Sequence, residues 1–157
     1  MKIGIISDTH RYIKSIEKAI PYLKECDLIL HAGDNIDDAE FIYYATDVEV
    51  KCVKGNCDLY NIDGDYELTF LANNKKFFLC HGHDYDVKWG VDSLLRIAKN
   101  NNIDIVVYGH THVPIYKKVD DVIFINPGSV TYPRGGSDKC FGILTVDENI
   151  SYEEIKI

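Results

Sequence analysis

No stretch of the 157-residue sequence approaches the ~18 consecutive apolar residues of a membrane-spanning helix. The apolar opening, residues 1–6, is too short for a signal peptide, and Asp8 closes it. Internal repeats, low-complexity tracts and Pro/Gly/Ser-rich linkers are absent, so the length reads as one domain over residues 1–157. Excess positive charge is absent too: 17 Lys and Arg stand against 25 Asp and Glu, a formal charge of −8. That balance argues against a polyanion-binding surface and makes long nucleic acid a poor partner. It leaves phosphate chemistry open, because two bound divalent ions would bring the total to −4.

CxxC pairs are missing among the five cysteines, an odd number that fits neither a disulfide framework nor a structural zinc site. Reduced thiols and a cytoplasmic location are expected. What is present is an ordinary globular composition, 46% hydrophobic and 27% charged, which excludes disordered, collagen-like and coiled-coil chains. One core at this length buries about 70% of the unfolded surface, so folding needs no staple, although a homo-oligomer is compatible with it.

Residues 2–6, 27–31 and 48–53 are short apolar runs that read as buried strands. Between them, Ile13, Ile16, Ile20 and Leu23 recur at helical spacing, and residues 37–45 form a second, short helix. Pro21 lies inside the first stripe and is expected to kink or split that helix. Residues 66–71 and 76–80 flank Asn73-Asn74 and read as a hairpin, since Asn tolerates the positive φ of tight turns. A helix over 91–100, a strand over 105–108 and short strands near 115–118, 122–125, 142–146 and 152–157 follow. The order βαβαβ followed by mostly β predicts an α/β fold: a four-layer αββα sandwich of two mixed sheets flanked by helices.

The polar residues that can carry chemistry cluster just beyond these strands. The ends are Asp8-Thr9-His10, Gly33-Asp34, Gly55-Asn56-Cys57-Asp58, His81-Gly82-His83 and Gly109-His110-Thr111-His112. Loops beyond the carboxyl ends of strands in open α/β sheets converge on one crevice. Singly, each piece has an ordinary explanation: a helix cap at Asp8-Thr9, a turn at Gly33-Asp34, a left-handed turn residue at Asn56, or a core histidine at His81 or His110. Jointly those explanations would have to coincide at one sheet edge. Carboxylate and amide oxygens mixed with imidazoles suit divalent transition ions. Asp8, His10, Asp34, Asn56, His81, His110 and His112 make seven candidate donors, too many for one ion of four to six ligands. His110 and His112 would share a face if their segment is extended.

In order and spacing these motifs resemble the signature of the calcineurin-like metallophosphoesterases, from residue 3 to about residue 133. Asn126-Pro127-Gly128-Ser129 and the Cys57-Asp58 ending resemble the small YfcE-like branch in particular. The resemblance implies two metal ions, Mn or alternatively Fe, Zn, Ni or Co. One would be held by Asp8, His10, Asp34 and His112, and the other by Asp34, Asn56, His81 and His110. Asn56, His81 and His110 count as catalytic as well as ligating. It implies hydrolysis of a small phosphodiester by in-line attack of a hydroxide bridging the ions.

Three positions at the pocket need separate weighing. Many family members have His after Gly-Asn, whereas Cys57 stands here; a thiol is a weak donor, which favours diesters over monoesters. Asp58 and His83 are further pocket candidates, with His83 turned away from His81 if the chain is extended there. His31 reads as structural, Arg134 as an exposed loop residue, and Tyr43, Tyr44 and Tyr132 as partly buried surface aromatics. Only 22 residues separate Asp58 from His81, too few for a capping domain, so an open site is expected. The alternative activity is a metal-dependent phosphomonoesterase or phosphatase. A non-catalytic scaffold, as the family's retromer coat subunit is, stands further off because all seven ligand positions are filled.

Overall fold

The computed structural model describes residues 1–59 and 63–157. Ten strands and three helices follow in the order β1 (Lys2–Ile6), α1 (Ile13–Leu23), β2 (Leu28–His31), α2 (Asp37–Thr46), β3 (Val50–Cys52), β4 (Glu67–Ala72), β5 (Lys75–Cys80), α3 (Asp92–Asn101), β6 (Ile105–Val107), β7 (Ile115–Val119), β8 (Val122–Asn126), β9 (Cys140–Val146) and β10 (Ile150–Lys156). They form two five-stranded mixed sheets, ordered β10-β9-β1-β2-β3 and β4-β5-β6-β8-β7. Strands β1, β2 and β3 are parallel, as are β5, β6 and β8, and the remaining pairs are antiparallel.

Period-two alternation explains how the layers assemble. Ile3, Ile5, Leu28 and Leu30 meet Phe77, Leu79, Ile105, Val107 and Ile125 in the core between the sheets. The intervening Ile6 and Ile29 point the other way and pack with Ile16, Ala19 and Leu23 of α1 and Ile42 of α2. On the second sheet, Phe78, Val106 and Phe124 likewise pack outward against Leu94 and Ala98 of α3. The result is the expected four-layer αββα sandwich. The hairpin forms as expected, with Asn73 and Asn74 at φ 45° and 61°.

Pro21 does not split its helix: α1 runs unbroken through it. Its missing N–H would have bonded the carbonyl of Glu17, and both residues lie on the exposed side of the helix, where the lost bond strands no buried group.

Candidate metal centre

All five polar segments follow strand ends, three on the first sheet and two on the second. Backbone bonds stitch them together: Asp8 N–H donates to Gly33 O (3.0 Å), and Gly109 N–H to His81 O (3.0 Å). Glycine beside a ligand position permits close approach. A Cβ on Gly55 would collide with the Asp34 carboxylate, and one on Gly109 with Ser7 Oγ and the Asp8 carboxylate. Asp8, His10, Asp34, His110 and His112 themselves have φ between 49° and 67°, a conformation side chains rarely adopt without compensation.

Those backbone turns bring the side chains together in two overlapping groups. Donor atoms of Asp8, His10, Asp34 and His112 lie within 4.8 Å of one another. His112 Nε2 is 3.2 Å from Asp8 Oδ1 and 3.4 Å from His10 Nε2, while His10 Nε2 is 3.8 Å from Asp34 Oδ2. The other oxygen of Asp34, Oδ1, is 3.3 Å from His81 Nε2, and the His81 and His110 rings are 5.2 Å apart. Asp34 thus offers one oxygen to each group. Asn56 is exposed, its Nδ2 3.5 Å from the sulfur of Cys57, the residue whose N–H donates to Asp34 Oδ1.

The donors fit divalent ions on the evidence of their own partners. Nδ1–H of His81 donates to Ala32 O (2.7 Å), and Nδ1–H of His112 to Tyr132 O (2.6 Å), so Nε2 is the atom each ring has left to offer a cation. Among the described residues Asp8 Oδ1 and His81 Nε2 are buried without a hydrogen bond, a state that a cation relieves. Charge is tuned the same way. Burial alone would raise Asp8, but His112, His81 and the Ser7 hydroxyl outweigh it and hold the carboxyl below its ordinary value. Burial, then the fields of His81 and Lys88, push His110 down to about 4, so its lone pair is free at neutral pH. Burial would lower His112 too, yet its pairing with Asp8 prevails and raises it.

Around these donors lies a shell whose role the sequence did not disclose. Asp58 is not a wall of the pocket. It is 5% exposed, and its carboxylate accepts from the N–H groups of Asn35 (3.2 Å), Ile36 (2.9 Å) and Gly55 (2.8 Å), tying two ligand loops together. Asn126 donates to Gly109 O, and Ser129 Oγ–H to Asp8 O at 2.8 Å, so the 126–129 segment buckles two more. Buried polar residues at the end of β8, on the same edge, were the available signal. His31 is structural, as expected: Gly33 N–H donates to its Nδ1 (3.3 Å), and Nε2 pairs with Thr9 Oγ1 (3.0 Å).

Three side chains depart from the extended-chain reasoning. Gly82, at φ 99°, turns the chain so that the His83 ring lies 5.4 Å from His81 and 6.1 Å from His110, on the same side and not the opposite one. His110 and His112 are not on an extended strand; both are left-handed, and they serve different groups. Tyr132 stands at the site, its ring 5.4 Å from His10. Arg134 is exposed as expected, its N–H on His112 O.

The model of the calcineurin-like phosphoesterase superfamily domain matches residues 1–149. The chain belongs to that superfamily. A probable metallophosphoesterase of Methanothermobacter thermautotrophicus is 32% identical over 161 residues, covering 99% of this chain and 92% of that protein. The Escherichia coli phosphodiesterase YfcE is 33% identical over 107 residues, 63% of this chain and 54% of its own, in keeping with the expected branch. A solved structure described as a novel archaeal phosphodiesterase superposes with a TM-score of 0.82 at 29% identity, covering all of both chains. Membership makes this chain a phosphoesterase of the metal-dependent class.

Proposed function

We propose that residues 1–157 act as one metallophosphoesterase domain that hydrolyses small phosphodiesters at a two-metal centre. The observation that carries this reading is Asp34, whose two carboxylate oxygens face His81 on one side and His10 on the other. Asp8, His10, Asp34 and His112 would hold one ion, and Asp34, Asn56, His81 and His110 the second. When bound, two such ions supply a water activated at neutral pH and a clamp for the attacking and leaving oxygens of an in-line displacement. The chain's own part is positional. Asp58, His31, Asn126 and Ser129 fix the loops, while half-buried His110 and exposed Asn56 would meet the entering phosphate.

Four imidazoles favour a transition ion, Mn first and Fe, Zn, Ni or Co as substitutes, over Mg, which prefers oxygen ligands and water. No helix among the described residues is long and apolar enough to cross a membrane, and all five cysteines are free, which supports a reducing, cytoplasmic setting. Elemental analysis after loading with Mn²⁺, paired with hydrolysis of bis(4-nitrophenyl) phosphate before and after chelation, tests the reading. Two ions per chain and activity restored by Mn²⁺ are expected. A single ion per chain removes the two-metal proposal, and full activity in excess chelator removes the metal mechanism.

A further inference from the structure

A cavity of about 190 Å³ opens beside the second ligand group, lined by His83, Asp86, Val87, Lys88, Trp89 and His110. Trp89 is the chain's single tryptophan and is 90% exposed. Scattered exposed apolar side chains need no explanation, but this indole shares a wall with a candidate ligand histidine. Its backbone is held while its ring is free. Val87 and Val91 are buried in the outer core of the second sheet, and Trp89 N–H donates to Asp86 O at 2.8 Å. A flat ring is thereby anchored beside His110, and its faces have no aromatic or cationic partner among the described residues.

The chemistry of the other walls narrows the occupant. Lys88 is close enough for its charge to act on His110, and it brings positive charge to the rim where a phosphate must enter. His83 carries a buried Nδ1 without a hydrogen-bond partner among the described residues. Asp86 is the one carboxylate on the wall; it repels a second anionic group and accepts from N–H donors. A planar heterocycle bearing N–H groups, attached to a single phosphoester, meets all three demands. Stacking on an aromatic ring suits every nucleobase, because each has a π-face.

Building on the phosphodiesterase reading above, we infer that the His83–Trp89 cavity is a nucleobase subsite, so that the preferred substrates are small phosphodiesters of nucleosides with amino-bearing bases. Trp89 is the stacking platform, and Asp86 the acceptor for the base's exocyclic N–H.

The test compares adenosine 5′-monophosphate with ribose 5-phosphate, which has the same phosphate and sugar without the base, by calorimetry on Mn²⁺-loaded protein. Adenosine monophosphate should bind about 5- to 150-fold more tightly, the range of one base–aromatic stack, and should quench the lone tryptophan. W89A should bring the two affinities together, and W89F should keep most of the difference. Equal affinities in the wild type, or a ratio that W89A leaves intact, overturn the subsite. Bis(4-nitrophenyl) phosphate hydrolysis runs alongside: turnover with equal affinities sinks the subsite alone, whereas no turnover and no binding of either phosphate sinks the phosphodiesterase reading with it.

Discussion

The Nε2 atoms of His10 and His112 lie 3.4 Å apart, although His112 already spends its Nδ1 hydrogen on Tyr132 O. Two rings that both carry their hydrogen on Nδ1 would set lone pair against lone pair at that distance, so a hydrogen on His10 Nε2, an added proton or a cation must resolve the contact. Asp8 raises His112 above its ordinary 6.5 and so favours the proton in the metal-free protein.

Metal binding must therefore displace that proton. Affinity for Mn²⁺ should weaken as pH falls through the raised value of His112, with the loss already under way above 6.5. Calorimetry in buffers of different ionisation enthalpy should show proton release on binding. An affinity unchanged from about pH 8 to about pH 6 would place the proton elsewhere.

Asp34 serves both ligand groups, whereas His10 serves one. Asp34→Asn removes the negative charge between two cation positions and should cost more turnover than His10→Gln. Because even residues behind the ligands cost about 10–100-fold when changed, Asp34→Asn should exceed the upper end of that range. Normal metal content and turnover in Asp34→Asn would mean that the centre lies elsewhere.

Asp58 accepts three backbone N–H groups and is almost wholly buried. Asp58→Ala strands those donors in a buried site and should destabilise the fold by about 4.5 kcal/mol or more, since three hydrogen bonds to a charged group are each worth at least about 1.5 kcal/mol. Asp58→Asn keeps one acceptor oxygen and should lose less. Urea unfolding midpoints for the two variants measure the difference; a wild-type midpoint in Asp58→Ala would show that the clamp carries no stability.

Much of the fold was legible because periodicity sees local pattern: β1, both helices of the first half and the Asn73-Asn74 hairpin follow from spacing and turn chemistry. The candidate ligands were legible because they crowd five strand ends. Their backbone was not. Among the described residues thirteen non-glycine positions have positive φ, and five of them are candidate ligands. Local propensity gives no reason to place His10 or His112 there; only the converging loops hold them. The same limit hid Asp58 and Ser129, whose partners are distant loops, and misdirected His83, where one left-handed glycine reversed the direction an extended chain would give.

His31 is fully buried and neutral by construction: Gly33 N–H occupies Nδ1, leaving the ring's one hydrogen on Nε2 for Thr9. Burial holds its pKa below 6.5 despite nearby carboxylates. In the metal-free protein the unfolded chain therefore binds a proton that the folded chain refuses. This contribution to stability is complete above 6.5 and is lost as pH falls from there towards the folded value. His31→Gln should lower stability at neutral pH and lose less of the remainder on acidification. Denaturant titrations at several pH values check this; parallel wild-type and variant curves would refute it.

The last expectation concerns Cys57, which stands where the family resemblance leads one to expect histidine. Its backbone N–H donates to Asp34 Oδ1 at 2.9 Å, a contact any residue but proline keeps, so side-chain changes here should leave metal occupancy intact. Desolvation first, and then the Asp34 carboxylate, push the thiol up to about 11, so at neutral pH it is a protonated, weak donor. Proton donation to a departing oxygen is what this position could add. A nitrophenolate departs without such help, whereas an alkoxide needs it, and general-acid assistance is worth about 10²–10⁴-fold. Cys57→Ser should thus change turnover of an activated aryl diester only modestly. Cys57→His should raise activity, most strongly on poor leaving groups and on monoesters. Turnover across substrates of graded leaving-group pKa, at matched metal content, decides the matter. Loss of all activity in Cys57→Ser with metal retained would give the thiol a direct catalytic task. A leaving-group dependence unchanged in Cys57→His would show that this side chain does not face the departing oxygen, and would remove the argument that the missing imidazole favours diesters.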